Sequence, residues 1–166
     1  MESASGNLTV TNATGDVEVE TASGDIEING ANGNRVDAET ASGSVTVTGV
    51  TAQDVEVESA SGNVRVTRTR TPRLKAESAS GDVRAELDGD VREVSVSTAS
   101  GDAEVAVPSG FSGEVEMETA SGDIDVDFEL RVTRQSRGHL RGTIGSGGAA
   151  RISLETASGN VRLMRR

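Results

Sequence analysis

The stretch Val17-Glu18-Val19-Glu20-Thr21-Ala22-Ser23-Gly24-Asp25-Ile26-Glu27-Ile28 decides how this chain is read. Apolar and polar residues alternate strictly on both sides of Ala22-Ser23-Gly24. That pattern describes two half-buried strands meeting at a tight corner, with valine and isoleucine facing inward. The same block recurs along the chain. Thr/Ser-Ala-Ser-Gly occurs eight times, its glycines at Gly6, Gly24, Gly43, Gly62, Gly81, Gly101, Gly122 and Gly159. Successive spacings are 18, 19, 19, 19, 20, 21 and 37. The last interval, about two periods, predicts a coil that has lost its motif.

Two kinds of corner separate by length. The interval between inward residues across the motif is always seven, as in Val19–Ile26, Val57–Val64, Met117–Ile124 and Leu154–Val161. The return path varies: Val10–Val17 is seven, Ile28–Val36 eight, Ala85–Val94 nine and Val105–Val115 ten. One constant corner and one that absorbs insertions such as Asp88-Gly89-Asp90 is the behaviour of stacked repeats. An antiparallel sandwich would not hold one tetrapeptide in register eight times. A propeller blade needs about 40–45 residues, and a hexapeptide helix wants an aliphatic residue at every sixth position. The chain therefore reads as all-β: a parallel β-solenoid (β-helix) of about nine coils with an 18–21 residue period. The crossover rule predicts a right-handed one. At about 4.8 Å per coil it would be a rod of roughly 40 Å, one domain over residues 1–166.

Most of the motif is architectural on this reading. Glycine tolerates the open backbone of the constant corner. The residue after it (Asn7, Asp25, Ser44, Asn63, Asp82, Asp102, Asp123 or Asn160) is a short polar side chain suited to bonding turn backbone. Thr21, Thr40, Ser59, Ser78, Thr98, Thr119 and Thr156 share the parity of the inward valines and should stack as a hydroxyl ladder, satisfied by one another or by the turn. The alanines face outward.

These repeated Ser/Thr-Ala-Ser-Gly-Asp-Val/Ile units resemble a bacterial adhesin-like family of β-strand-repeat proteins of unknown function. The most specific match runs from Gly138-His139-Leu140-Arg141-Gly142-Thr143-Ile144-Gly145 to Ala157-Ser158-Gly159-Asn160-Val161-Arg162-Leu163. Gly113-Glu114-Val115 and Thr119-Ala120-Ser121-Gly122-Asp123-Ile124 also fit. The resemblance implies a non-catalytic role in the cell envelope, tied to adhesion or envelope-stress sensing, with no catalytic residues to transfer. The family usually carries sequence before these repeats, often an export signal or membrane segment. This chain starts in mid-coil without one, which implies a fragment of a longer protein.

Composition narrows the function classes. The hydrophobic fraction is 34%, and with 20 glycines it reaches about 46%, within the globular range. Only Phe111 and Phe128 are aromatic, so the core is aliphatic and no platform for stacking sugars exists. Without cysteine there is no disulfide, thiolate metal site or thiol nucleophile. No apolar run is long enough for a membrane helix. Met1-Glu2-Ser3 enters a repeat directly and has no signal-peptide features. The formal charge of −11 disfavours nucleic acid.

Searching for chemistry yields little. His139, the only histidine, has no aspartate near it in sequence, and the serines are repeat corners, so no triad is expected. Gly145-Ser146-Gly147-Gly148 lacks the Lys-Ser/Thr of a phosphate loop. No catalytic, cofactor-binding or metal-ligating residue is therefore assigned, and the chain is not expected to be an enzyme. Outward acids such as Glu18/Glu20, Asp37/Glu39 and Glu56/Glu58 should form a ladder of like charge. Solvent or weak divalent-cation binding would relieve it, although calcium's usual oxygen cage is missing. Outward Thr9/Thr11 and Thr46/Thr48 are interrupted by Glu27, Arg65 and Arg84, which argues against ice binding.

Charge is polarised along the sequence. Residues 1–60 carry eleven acids and one base, whereas residues 61–166 are nearly balanced. Two basic clusters stand out: Arg65, Arg68, Arg70, Arg73 and Lys75, then Arg131, Arg134, Arg137, Arg141 and Arg151. They suggest an anionic partner: lipid headgroups, an envelope polymer, or the acidic half of another copy. Solenoid ends expose unpaired backbone unless capped. The N-terminal half-coil shows no cap, and Leu163-Met164-Arg165-Arg166 reads as a charged stop at the far end. Head-to-tail stacking into a homo-oligomeric scaffold is the expected alternative to a display or binding module.

Overall fold

A computed structural model describes residues 1–166. The chain forms strands β1 (Glu2–Ser3), β2 (Leu8–Thr14), β3 (Val17–Ser23), β4 (Ile26–Asn32), β5 (Arg35–Ser42) and β6 (Val45–Thr51). It continues through β7 (Asp54–Ser61), β8 (Val64–Thr69), β9 (Arg73–Ser80), β10 (Val83–Leu87), β11 (Glu93–Ser100) and β12 (Ala103–Val107). The last third holds β13 (Gly113–Ser121), β14 (Ile124–Val126), β15 (Leu130–Ser136), β16 (His139–Ile144), β17 (Arg151–Ser158) and β18 (Val161–Arg165). There are no helices.

Odd-numbered strands up to β11 stack in parallel as one sheet and even-numbered strands as the other, so each strand pair is one coil of a β-solenoid. Registers match repeat to repeat: Val17 pairs with Val36, Val55 with Leu74, and Val45 with Val64. The inward residues named above form one core running through the stack, with Val36, Ala38, Val45, Val47 and Val57 fully buried. A further inward position lies beyond the alternating stretch. Asn12, Gly30, Gly49 and Arg68 take left-handed backbone at equivalent places. The unpaired residue inverts side-chain parity, so Ala31, Val50 and Thr69 turn into the core.

The stacking order departs from chain order at one place. In the first sheet the order is β11-β17-β13-β16-β15, and in the second it is β12-β18-β14. The chain leaves the β11–β12 coil, skips a slot, builds β13–β14, turns back through the antiparallel hairpin β15–β16, and finally fills the slot with β17–β18. Three expectations are corrected here. The solenoid has six full coils between two incomplete ones, not nine, because β1 spans two residues and β14 three. The interval of 37 contains no coil without a motif; it contains the hairpin and the Gly145–Ala150 return. Leu163-Met164-Arg165-Arg166 is no terminal stop, since β18 lies between β12 and β14. β15 is the outer edge at that end, and the first sheet overhangs the second there by two strands. At the other end β1 and β2 are the outermost strands.

Candidate binding surfaces

Most polar groups of the motif are consumed in holding coil to coil. The inward hydroxyls of Thr40, Ser59, Ser78 and Thr98 donate to the corner-glycine carbonyls of Gly24, Gly43, Gly62 and Gly81 on the neighbouring coil, at 2.8–3.1 Å. Across the filled slot the rule holds: Thr156 donates to Gly101 at 3.0 Å, and Thr119 to Gly159 at 2.9 Å. Outside the corner, Asp25 N donates to Asn7 Oδ1, Asp82 N to Asn63 Oδ1, Asp102 N to Asp82 Oδ1, and Asn160 N to Asp102 Oδ1. The predicted hydroxyl ladder exists from Thr40 onward, and the Asx side chains form a second one, both bonded to backbone of an adjacent coil; Thr21 Oγ1 instead donates to Ser23 O of its own strand. The approach is close: at Gly62, φ is +150° and a Cβ would lie 2.1 Å from Gly43 O. Only glycine fits there.

The acidic ladder is real and already carries a cation. Glu2, Glu20, Glu39, Glu58 and Glu77 occupy one outward row. Lys75 stands beside it, its ammonium 2.6 Å from Glu58, 3.0 Å from Glu56 and 3.2 Å from Glu77. Hydrogen bonds to Glu58 and Glu56 hold the Lys75 ammonium well above its ordinary pKa. No three carboxylate or imidazole groups converge to hold a metal ion.

A second row on that sheet alternates in sign. Read along the stack it runs Arg35, Asp54, Arg73, Glu93, Arg151, Glu114. Arg73 binds Asp54 with two guanidinium nitrogens, and this hydrogen bonding holds the Asp54 carboxyl below its usual range. Arg151 approaches Glu114 at 3.4 Å. The second sheet repeats the device, with Arg162 between Glu104 and Asp125 and 3.4 Å from the latter. Sequence reasoning missed this row because it began each strand at the first inward valine. The signal lay one residue earlier, in the alternation of Asp16, Arg35, Asp54, Arg73 and Glu93.

The first basic cluster disperses in three dimensions. Arg73 and Lys75 are ion-paired on one sheet, Arg65 lies on the other, and Arg68 sits at the left-handed bulge. The second cluster divides. Arg151 lies in the filled slot, and Arg141 reaches Glu114 at 3.6 Å. Arg131, Arg134 and Arg137 are exposed on the hairpin and lack a carboxylate partner. Arg134 lies directly opposite Arg141 in the β15–β16 pairing. Beneath the overhang a groove of about 560 Å³ is lined by Phe111, Phe128, Leu130 and Ile144, with Arg131 and Arg165 among its polar residues. The Arg165 guanidinium lies 5.5 Å from the Phe128 ring centroid.

The remaining candidates resolve into structure. His139 Nε2 is 3.4 Å from Glu116 Oε1. Ser136 faces it across the hairpin, but no hydrogen bond joins the imidazole to a hydroxyl. Gly145-Ser146-Gly147-Gly148 is the start of the return to the slot, and Ser112 Oγ lies 3.2 Å from Ile144 O and 3.3 Å from Gly147 O. Compared with known proteins, residues 1–164 match the family model described as Toastrack DUF4097. No curated protein and no solved structure matches the chain. The match supports a β-repeat family of unknown function, a coarser statement than the adhesin-like resemblance.

Proposed function

The chain belongs to the Toastrack DUF4097 family, and from that premise we propose that it serves as a non-catalytic structural and binding module of a bacterial, adhesin-like cell-envelope protein. The observation that carries this reading is the commitment of the motif's polar groups. Hydroxyls, Asx side chains and corner carbonyls that a catalyst would leave free are bonded between coils. What is left for function is the outside of a rigid rod. Incubating the purified chain with separated membrane and cell-wall fractions tests the reading. Retention by at least one fraction is expected, and failure to be retained by any would overturn it.

A second reading, an end-to-end scaffold, is favoured by charge polarity. Residues 1–60 are strongly acidic, while residues 130–151 contain five arginines and no acid. Sedimentation velocity across concentration and salt separates the two. Salt-sensitive growth into oligomers indicates the scaffold, and a rod-like monomer throughout indicates the display module.

A further inference from the structure

We infer that the overhanging hairpin end is a docking surface for a lipid bilayer bearing anionic headgroups. The inference rests on the binding-module reading and names the partner. Two observations converge on one end of the rod. Arg131, Arg134 and Arg137 are exposed without counter-ions, in a chain whose net charge is −11. Arg134 also faces Arg141 across the strand pair, but Glu114, 3.6 Å from Arg141, answers that charge within the molecule, so the three free arginines alone carry the charge signal. On the opposite face of the same edge strand lies apolar surface. Val132 is 50% exposed, one of two large apolar side chains so exposed, and Phe128 and Leu130 are half-buried around the groove.

The combination selects among anionic partners. A soluble polyanion answers the arginines and leaves Val132, Leu130 and the groove in water. A β-strand partner would need a regular edge, but β15 carries a register break between Val132 and Arg134, a device that blunts edge pairing. An anionic bilayer satisfies both halves at once. With the β15 edge against the membrane, guanidinium groups from one face of the strand sit among headgroups while Val132 from the other enters the acyl boundary, the pairing of weak signals that holds peripheral proteins. Glu129, in the same groove, lies at the end of the exposed run and opposes full insertion, consistent with shallow docking.

The test is vesicle flotation of the full chain with phosphatidylcholine alone and with phosphatidylglycerol added. Retention on the anionic vesicles only is expected. Reversing Arg131, Arg134 and Arg137 to Glu should weaken it at least about 100-fold, from the contribution of each cation near a charged surface, with the unfolding midpoint unchanged. Val132→Ser, which leaves every charge in place, should weaken it several-fold. Equal retention of the wild type and the arginine variant overturns the proposal, as does wild-type failure to float. Binding to soluble polyglutamate that competes fully with vesicles, with Val132→Ser neutral, assigns the surface to a polyanion instead. An altered sedimentation coefficient of the arginine variant, with flotation intact, assigns it to a second copy. Envelope-fraction retention that survives failed flotation removes the bilayer and leaves the module reading standing.

Discussion

Arg151 and Glu93 are direct neighbours across the β11–β17 pairing, and on its other side Arg151 faces Glu114. If coils had stacked in chain order, Glu93 would lie beside Glu114, and on the second sheet Glu104 beside Asp125. The closing coil inserts a cation into each of those rows. Its slot is thus marked by charge as well as by shape.

Deleting residues 150–166 should therefore do more than shorten the rod. It removes Ile152, Leu154, Val161 and Leu163, all at most 1% exposed, from the interior of the stack. At about 1.5–3 kcal/mol for each large aliphatic group buried, the loss is comparable to a domain's whole stability. The expected result is loss of cooperative unfolding by circular dichroism, with partial recovery when a peptide of residues 149–166 is added. Had the last coil been terminal, a shorter rod would unfold cooperatively.

Charge reversal at Arg151 probes the row more gently. Arg151→Glu places three carboxylates in line and should cost about 1 kcal/mol, the scale of exposed cross-strand pairs. Urea midpoints at low and high salt are the measurement. The deficit should shrink at high salt, because screening weakens repulsion between exposed groups; a deficit independent of salt would point to packing.

Gly62→Ala should destabilise by roughly 3 kcal/mol or more, since strained φ and a backbone clash add. Gly110→Ala is the control: its Cβ would meet nothing within 4 Å and its φ is not positive. Comparable losses at the two positions would contradict the corner geometry.

Lys75 and Asp54 set opposite limbs of the pH profile. Lys75 is raised in the folded state, so its contribution is complete below its ordinary value of 10.5 and is lost as pH rises through the folded value. Asp54 is lowered, so its contribution is present above its ordinary 3.8 and is lost as pH falls through the folded value. Lys75→Gln should flatten the alkaline decline, and Asp54→Asn should soften the acid one. Both side chains are only half-buried, so solvent screening keeps the effects small. At neutral pH the Lys75→Gln variant should gain stability with added salt, because Glu56, Glu58 and Glu77 then repel one another unanswered.

Within the sequence alone lay everything that repeats: the two-residue alternation around Val19 and Ile26, the constant seven-residue corner at Gly24, and the hydroxyl row from Thr21 to Thr156. Local periodicity determines which side chains face inward, and inward aliphatics with small corners leave stacking as the way to bury them. The order of the coils was not legible in the same way. Coils with the same Thr-Ala-Ser-Gly corner offer nearly the same backbone bonds and core surface to any neighbour, so periodicity is indifferent to which sits beside which. Tertiary structure breaks that degeneracy through long-range terms. The β15–β16 hairpin reverses the chain, the Gly145–Ala150 return carries it back, and Arg151 and Arg162 meet carboxylates on both sides of the slot. The same fold-back separates Arg131, Arg134 and Arg137 from their sequence companion Arg151, leaving three cations at the tip and one inside the stack.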